Sequence, residues 1–194
     1  ALGVSIPTVS RALKDSPEIS RELCAKAKAL AKEMNYRPNP FAMSLRKNAP
    51  RIIGVVVPDI VTHFFASILN GIENMAIANG YFVIITTSHE SYEHEKRNIE
   101  NLVNMRVEGI IACLSQETTD FSHISALKDI NMPLILFDRV CLTDQFSSVI
   151  ADGAQSAQMA TQHLLDNGSK RVAFIGGANH LDIVKRRKHG YLEA

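Results

Sequence analysis

The chain has 194 residues, of which 46% are hydrophobic and 21% are charged, and its formal net charge is +1. This composition is typical of a soluble globular protein and argues against a disordered chain, and no apolar run is long enough to span a membrane. Three widely spaced cysteines argue against a disulfide framework or a zinc site, so we expect a protein of a reducing compartment, the cytoplasm.

The charge is unevenly distributed along the chain. Residues 1–51 contain ten Lys and Arg against four Asp and Glu, whereas residues 52–194 contain eleven against sixteen. A basic head on an acidic body indicates that the head meets a polyanion. A solvated basic helical face explains the same charge pattern equally well.

Residues 1–36 predict two helices joined by a turn. Ser5 is placed to cap the first helix, and Pro7 falls in its first turn, where a missing N–H costs little. The second helix begins near Ser20, and Asn35 suits the left-handed position after its end. Its apolar stripe has helical spacing and consists of Leu23, Ala27, Leu30 and Met34.

Two such helices fit a helix-turn-helix whose supporting first helix would precede Ala1. In that motif the recognition helix enters the major groove and its first residues face base edges. The residues expected at base edges are Ile6, Pro7 and Arg11. Hydroxyl groups suited to phosphate oxygens are those of Ser5, Thr8, Ser10 and Ser20.

Residues 37–50 predict either an ordinary interdomain linker or a short helix that forms on DNA. The prolines at 38 and 40 end the preceding helix, and about two helical turns fit before Pro50. In the functional interpretation, apolar Leu45 enters the minor groove between base steps, while Arg46 and Lys47 hold phosphates.

Residues 51–194 alternate between apolar strands and amphipathic helices, which predicts a parallel sheet with helices on both faces. The predicted strands are 52–57, 82–86, 109–114, 134–137, 148–151 and 172–175. The predicted helices are 64–79, 92–106, 120–130 and 154–167.

Ligands of such sheets bind beyond the carboxyl ends of the strands. Applied to the predicted strands, this rule selects Asp59, His63, Phe64, Phe65, Thr87, Ser88, His89, Ser115, Gln116, Asp138, Arg139, Asp152, Gly176 and Gly177. We therefore expect a binding crevice at this edge of the sheet.

The sequence offers no catalytic group of residues, cofactor motif or metal site. Gly176-Gly177 lacks the G-x-G-x-x-G spacing, and Ser115 lacks the G-x-S-x-G context of a hydrolase nucleophile. The seven histidines show no metal-ligand spacing. We expect neither enzyme activity nor a cofactor.

In order and spacing, several segments resemble the lactose-repressor (LacI/GalR-type) family of bacterial transcription regulators. The segments are GVSIPTVSRAL, NYRPNPFAMSLR, IIGVVVPDI, VEGII, PLILFDR, VIAD, RVAFIGG and the R-x-x-G-aromatic element from Arg187 to Tyr191. The resemblance covers the whole chain, and its head and hinge motifs are the specific ones.

The resemblance implies a helix-turn-helix head on a periplasmic-binding-protein-like α/β body with a doubly wound parallel sheet. The implied parts are a head at 1–36, a hinge helix and linker at 37–50, a first effector subdomain at 51–151 and the start of a second at 152–194. On this interpretation the first helix of the head is missing and the second subdomain is incomplete.

The resemblance also implies a function: a homodimer that binds a pseudo-palindromic DNA operator and responds to a small effector, a sugar or sugar derivative. It places five residues in the effector pocket between the subdomains, namely Phe64, Asp138, Arg139, Asp152 and Arg187. Carboxylates and guanidinium groups bind paired hydroxyls, and an aromatic ring stacks on the apolar face of a sugar.

Each pocket residue also has a structural interpretation. Phe64 could be a core residue, Asp138-Arg139 a surface pair, Asp152 a helix cap and Arg187 part of a solvated basic patch.

Two other functions are alternatives to a transcription regulator. A solute-binding protein of the same body fold without DNA activity would be favoured by a signal peptide and is disfavoured by the basic head. A sugar-processing α/β enzyme would need a nucleophile or a phosphate loop.

Overall fold

A computed structural model of the chain describes residues 2–36 and 51–194. By their contacts the residues form two compact units, Ala1–Asn48 and Ala49–Ala194. No helix in the described parts of the chain is long and apolar enough to cross a membrane.

The first unit contains two helices, α1 (Ile6–Ala12) and α2 (Arg21–Glu33). Ser5 and Ser20 cap them, since each hydroxyl oxygen accepts a hydrogen bond from the backbone N–H three residues later, at 3.4 and 3.3 Å. Asn35 has the predicted left-handed backbone, with φ +48°.

The core of the first unit is small and lies slightly off the predicted apolar stripe. Ala12, Cys24 and Ala27 are buried, whereas Met34 is 68% exposed. Met34 therefore does not belong to the core, because it follows the last turn of α2 and has no described partner helix to cover it.

The second unit is the predicted parallel sheet with helices, so the expected α/β fold class is confirmed. Its strands, in the spatial order β2-β1-β3-β4-β5, are β1 (Ile52–Val57), β2 (Phe82–Thr87), β3 (Gly109–Ala112), β4 (Leu134–Phe137) and β5 (Ser147–Val149). Its helices are α3 (His63–Ala78), α4 (Tyr92–Asn104), α5 (Ser122–Asp129), α6 (Gly153–Asp166) and α7 (Asp182–Glu193).

The continuous apolar sequence of β1 follows from burial on both faces of the sheet. On one face, Val55 and Val57 pack with Phe65 and Leu69 of α3. On the opposite face, Val56 packs in a cluster with residues of α4 and α5: Ile99, Leu102, Ile124 and Leu127. The two clusters hold the sheet rigid and fix where its strands end.

The predicted strand 172–175 is wrong for the described structure, which shows no strand there. Ile175 is 97% exposed. A strand forms only when a neighbouring strand shares its hydrogen bonds, and the segment has no such neighbour among the described residues. Tyr191 fixes it instead: its hydroxyl donates to the Val172 carbonyl oxygen at 2.8 Å and its ring stacks on Phe174.

Helix α7 contains the R-x-x-G-aromatic element and packs against α6. A Cβ atom on Gly190 would overlap the backbone oxygen of Ala154, so the two helices cross in direct backbone contact at this glycine. The R-x-x-G-aromatic element is thus part of helix α7, and its glycine forms the contact with α6.

Candidate functional site

The strand order reverses at the edge where the sequence predicts a binding crevice. The chain leaves β1 towards β2 on one side of the sheet and returns to β3 on the other, and all pairings are parallel. The carboxyl ends of the strands therefore share one edge, and the reversal of strand order is the place where such sheets bind ligands.

An ion pair joins three loops at this edge. Arg139 follows β4, and its Nη1 and Nη2 atoms donate to the two carboxylate oxygens of Glu90, which follows β2, at 2.6 and 2.9 Å. Glu90 also accepts a hydrogen bond from the backbone N–H of Gln116, after β3, at 2.7 Å. Arg139 Nη1 further donates to the Leu114 carbonyl oxygen at 3.2 Å.

Both partners of this pair are ionised at neutral pH. Burial alone would raise the pKa of Glu90, but the hydrogen bonds from Arg139 and Gln116 outweigh it and hold the pKa below its usual value. Burial would lower the pKa of Arg139, but Glu90 and its other anionic neighbours raise it. The pair is bidentate and partly buried, which makes it stronger than an ordinary surface pair.

Asp138 lies next to Arg139 in sequence, but its carboxylate has a different environment from that of Glu90. Its backbone is left-handed, with φ +58°. Burial raises the pKa of its carboxyl group, although Arg139 and Arg187 act in the opposite direction. Among the described residues its carboxylate has no hydrogen-bond or ion-pair partner. Asp138 and Arg139 are adjacent in sequence but do not pair with each other.

Asp152 lies at the start of α6, and Arg187 lies in the middle of α7. An oxygen of Asp152 accepts from the backbone N–H of Gln155 at 3.0 Å, which caps α6 as its structural interpretation states. A Cβ atom built on Gly153 would lie 3.4 Å from Cγ of Arg187. Because Arg187 also lowers the pKa of Asp138, the structure brings these residues to the same edge of the unit.

Phe64 lies at the start of α3 with half of its side chain exposed. Its ring meets the edge of Phe65 at a centroid distance of 5.2 Å, and Phe65 in turn packs on Phe137. The core residue is Phe65, so the Phe64 ring remains accessible at the carboxyl edge.

Two carboxylates that organise this edge, those of Glu90 and Glu95, are not among the residues that the sequence alone selects. Glu90 lies one residue beyond the loop positions that the strand-end rule selected. Glu95 is fully buried on α4 and occupies a position of the stripe shared with Ile99 and Leu102. A charged residue on an apolar stripe was the signal that could have identified it.

Glu95 supports the loop after β3. One oxygen accepts from Thr118 Oγ1 at 2.9 Å and contacts His123 Nε2 at 2.9 Å, and the other accepts from the Ser115 backbone N–H. Ser115 Oγ in turn donates to Ser88 Oγ at 2.8 Å. These bonds fix the backbone next to Gln116, the third group that holds Glu90.

In the first unit the candidate base-contacting residues are exposed on α1: Ile6 and Pro7 begin the helix, and Arg11 lies in its last turn. Ile6 is 85% exposed, and Pro7 and Arg11 are exposed as well. Arg11 pairs with Glu18 at 2.9 Å, an exposed pair that is easily broken. The Ser5 and Thr8 hydroxyls lie 2.8 Å apart.

The remaining candidates cannot be placed. Leu45, Arg46, Lys47 and the whole segment 37–50 lie outside the described residues. Within the described residues, no group of three His, Cys, Asp or Glu side chains is arranged to hold a metal ion.

Known proteins share both units. Residues 1–39 match the lacI family of bacterial regulatory proteins, and residues 51–194 match the periplasmic binding proteins and sugar binding domain of the LacI family. The chain is 32% identical to catabolite control protein A of Priestia megaterium, over 98% of this chain and 58% of that protein. It is also 32% identical to the ribose operon repressor of Bacillus subtilis (strain 168), over 100% of this chain and 57% of that protein.

A solved structure shows the same arrangement of elements. The lac repressor dimer bound to operator and the anti-inducer ONPF superimposes with a TM-score of 0.78 and 25% sequence identity, over 99% of this chain and 58% of that chain. The chain thus spans a little more than half the length of these relatives. It belongs to the lacI family of bacterial regulatory proteins.

Proposed function

We propose that the protein is a ligand-responsive transcription regulator that binds a pseudo-palindromic DNA operator as a homodimer in the cytoplasm. One observation carries this proposal: the chain combines two features. Its basic head has an exposed helix that a hydroxyl group caps, and its body has polar side chains at the carboxyl edge of a parallel sheet. The first reads DNA, and the second binds a small ligand.

In the head, the start of α1 enters the major groove. Ile6 and Pro7 present apolar surface to base edges, and Arg11 leaves Glu18 to bind a base. Phosphates are held by the hydroxyls of Ser5, Thr8, Ser10 and Ser20. Leu45, Arg46 and Lys47 act as the minor-groove segment that their sequence predicts.

In the body, the ligand lies at the edge formed by Phe64, Asp138, Arg139, Asp152 and Arg187. The Asp138 carboxylate accepts ligand hydroxyls, and the exposed Phe64 ring stacks on an apolar ring face. A carbohydrate supplies both hydroxyl groups for the Asp138 carboxylate and an apolar ring face for Phe64. That one relative is named a ribose operon repressor supports a sugar effector.

The protein acts as a regulator without catalysis. Cys113 and Cys141 are the thiols nearest the carboxyl edge, and burial raises the pKa of each to about 12, so neither supplies a thiolate nucleophile at neutral pH. In the proposed role, the effect of a ligand in the crevice is on DNA affinity.

The test is a binding selection on random duplex DNA with the full-length protein. A two-fold symmetric site with half-sites for two heads supports a dimeric regulator. Binding that depends on salt but enriches no motif would contradict the proposal, because it would make the head a general polyanion-binding surface.

A further inference from the structure

The guanidinium group of Arg139 has protein partners in this structure. A guanidinium has five N–H donors, and Arg139 directs three hydrogen bonds at Glu90 and the Leu114 carbonyl oxygen. The two bonds to Glu90 have the parallel bidentate geometry with which arginine also binds a phosphate. A ligand phosphate would have to displace Glu90 to use the same donors.

Glu90 is held firmly in this position. Its backbone and that of His89 are both left-handed, with φ +61° and +52°, which costs free energy in non-glycine residues and persists only where the surroundings impose it. The Gln116 N–H fixes the carboxylate from a second loop. Glu90 is therefore poorly placed to swing away when a ligand arrives.

The charge around the pair also disfavours an anion. The carboxylates at this edge are those of Asp59, Glu90, Asp138 and Asp152. The guanidinium groups at the same edge are those of Arg139 and Arg187. Like charges at short range cost free energy, whereas a hydroxyl group can donate to a carboxylate and accept from a guanidinium.

We propose that Glu90 determines the chemical class of the effector: as an internal counter-ion of Arg139, it makes the crevice select uncharged polyhydroxyl ligands and reject sugar phosphates. This inference rests on the proposed function of the crevice. Glu90 acts as a specificity-determining residue, and its carboxylate occupies the position that a ligand phosphate would take.

The experiment measures binding of inorganic phosphate to the full-length protein by calorimetry, with Glu90→Gln as the variant. Glutamine can keep one hydrogen bond to Arg139 but removes the charge. We expect weak binding to the unaltered protein and phosphate affinity at least about tenfold higher in the variant, a change of about 1.4 kcal/mol. Glu93→Gln, an equal charge change on the exposed side of α4, is the matched control and should behave like the unaltered protein.

Further variants separate the possible results. Glu90→Ser should show the same gain and replaces Glu90→Gln if that variant does not fold, and Arg139→Gln combined with Glu90→Gln should lose the gain. Equal phosphate affinity in the Glu90 variants and the unaltered protein would overturn the proposal, as would tight phosphate binding by the unaltered protein. Operator affinity measured on the same preparations tests the proposed function separately.

Discussion

Asp138, which we propose as a ligand-binding residue, opposes the stability of the folded protein. Its carboxyl group is partly buried, has no hydrogen-bond partner among the described residues, and has a raised pKa because burial disfavours its charged form. Such a group is stabilised by a ligand that supplies hydroxyl donors. In the ligand-free protein its charge is a cost.

We therefore predict that Asp138→Asn raises the thermal stability of the ligand-free protein at neutral pH. The folded-state pKa lies above the unfolded value, so the cost of the charge appears as pH rises between the two values and is absent below both. Asparagine also tolerates the left-handed backbone at this position. The difference in melting temperature should be present at pH 7 and vanish in acid.

Asp144→Asn is the control for this prediction. Asp144 is exposed in the loop before β5, so its substitution should change the melting temperature little at any pH. Lower stability of Asp138→Asn at pH 7 would contradict the prediction and show that the carboxylate makes a favourable contact in the folded state.

Arg11 carries the second prediction at this scale. On the selected operator, Arg11→Ala should relax the preference at one base position of each half-site, at a cost of about 1–3 kcal/mol for the preferred base. Competition binding against single-base variants of the operator measures this. An unchanged base preference with uniformly weaker binding would assign Arg11 to a phosphate.

Residue patterns in the sequence predict some of this chemistry and not the rest. The Ser5 cap is a local contact, so the sequence around it was enough to predict it, together with a helix start near Ser20. The Glu90–Arg139 pair joins residues 49 positions apart and depends on the order of β2 and β4 in the sheet. A sequence without the sheet topology therefore indicates Arg139 but not its partner.

At the scale of elements, strands with neighbours were predicted to within about two residues, and the reason is clearest for β1, whose burial on both faces requires a continuous apolar run. The segment 172–175 has the same kind of sequence but no neighbouring strand among the described residues, and it forms none. A hydrophobic pattern alone therefore does not predict a strand. Pairing decides whether a segment becomes one.

The contact between α6 and α7 gives a prediction at this scale. Gly190→Ala should destabilise the protein by about 1–3 kcal/mol, because the new Cβ atom would overlap the Ala154 backbone oxygen and the helices would have to separate. Hydrogen exchange should increase in α6 and α7 and remain unchanged in the sheet.

Gly71→Ala is the matched control. Gly71 lies in α3 with open space where a Cβ atom would stand, so alanine should stabilise the protein by about 0.4–1 kcal/mol through its higher helix propensity. The two substitutions have opposite signs because a Cβ atom has open space at Gly71 and overlaps the Ala154 backbone at Gly190. Equal effects would show that α6 and α7 do not make this contact in solution.

At the scale of the whole molecule, the proposed function assigns two kinds of recognition to one chain. The head has a positive net charge and the body a negative one, so the body does not compete with the head for DNA. The alternation of strands and helices was sufficient to predict the class of the body. The ligand class depends on charges that the fold assembles from four separate loops.

The proposed function requires the ligand crevice and the DNA-reading head to influence each other. The most direct measurement is the operator affinity of the full-length protein with and without a sugar whose binding is lost in Asp138→Asn. We expect that sugar to change operator affinity by about 5- to 150-fold, and the operator to change affinity for the sugar by the same factor. A sugar that binds the crevice at Asp138 and leaves operator affinity unchanged would contradict the account.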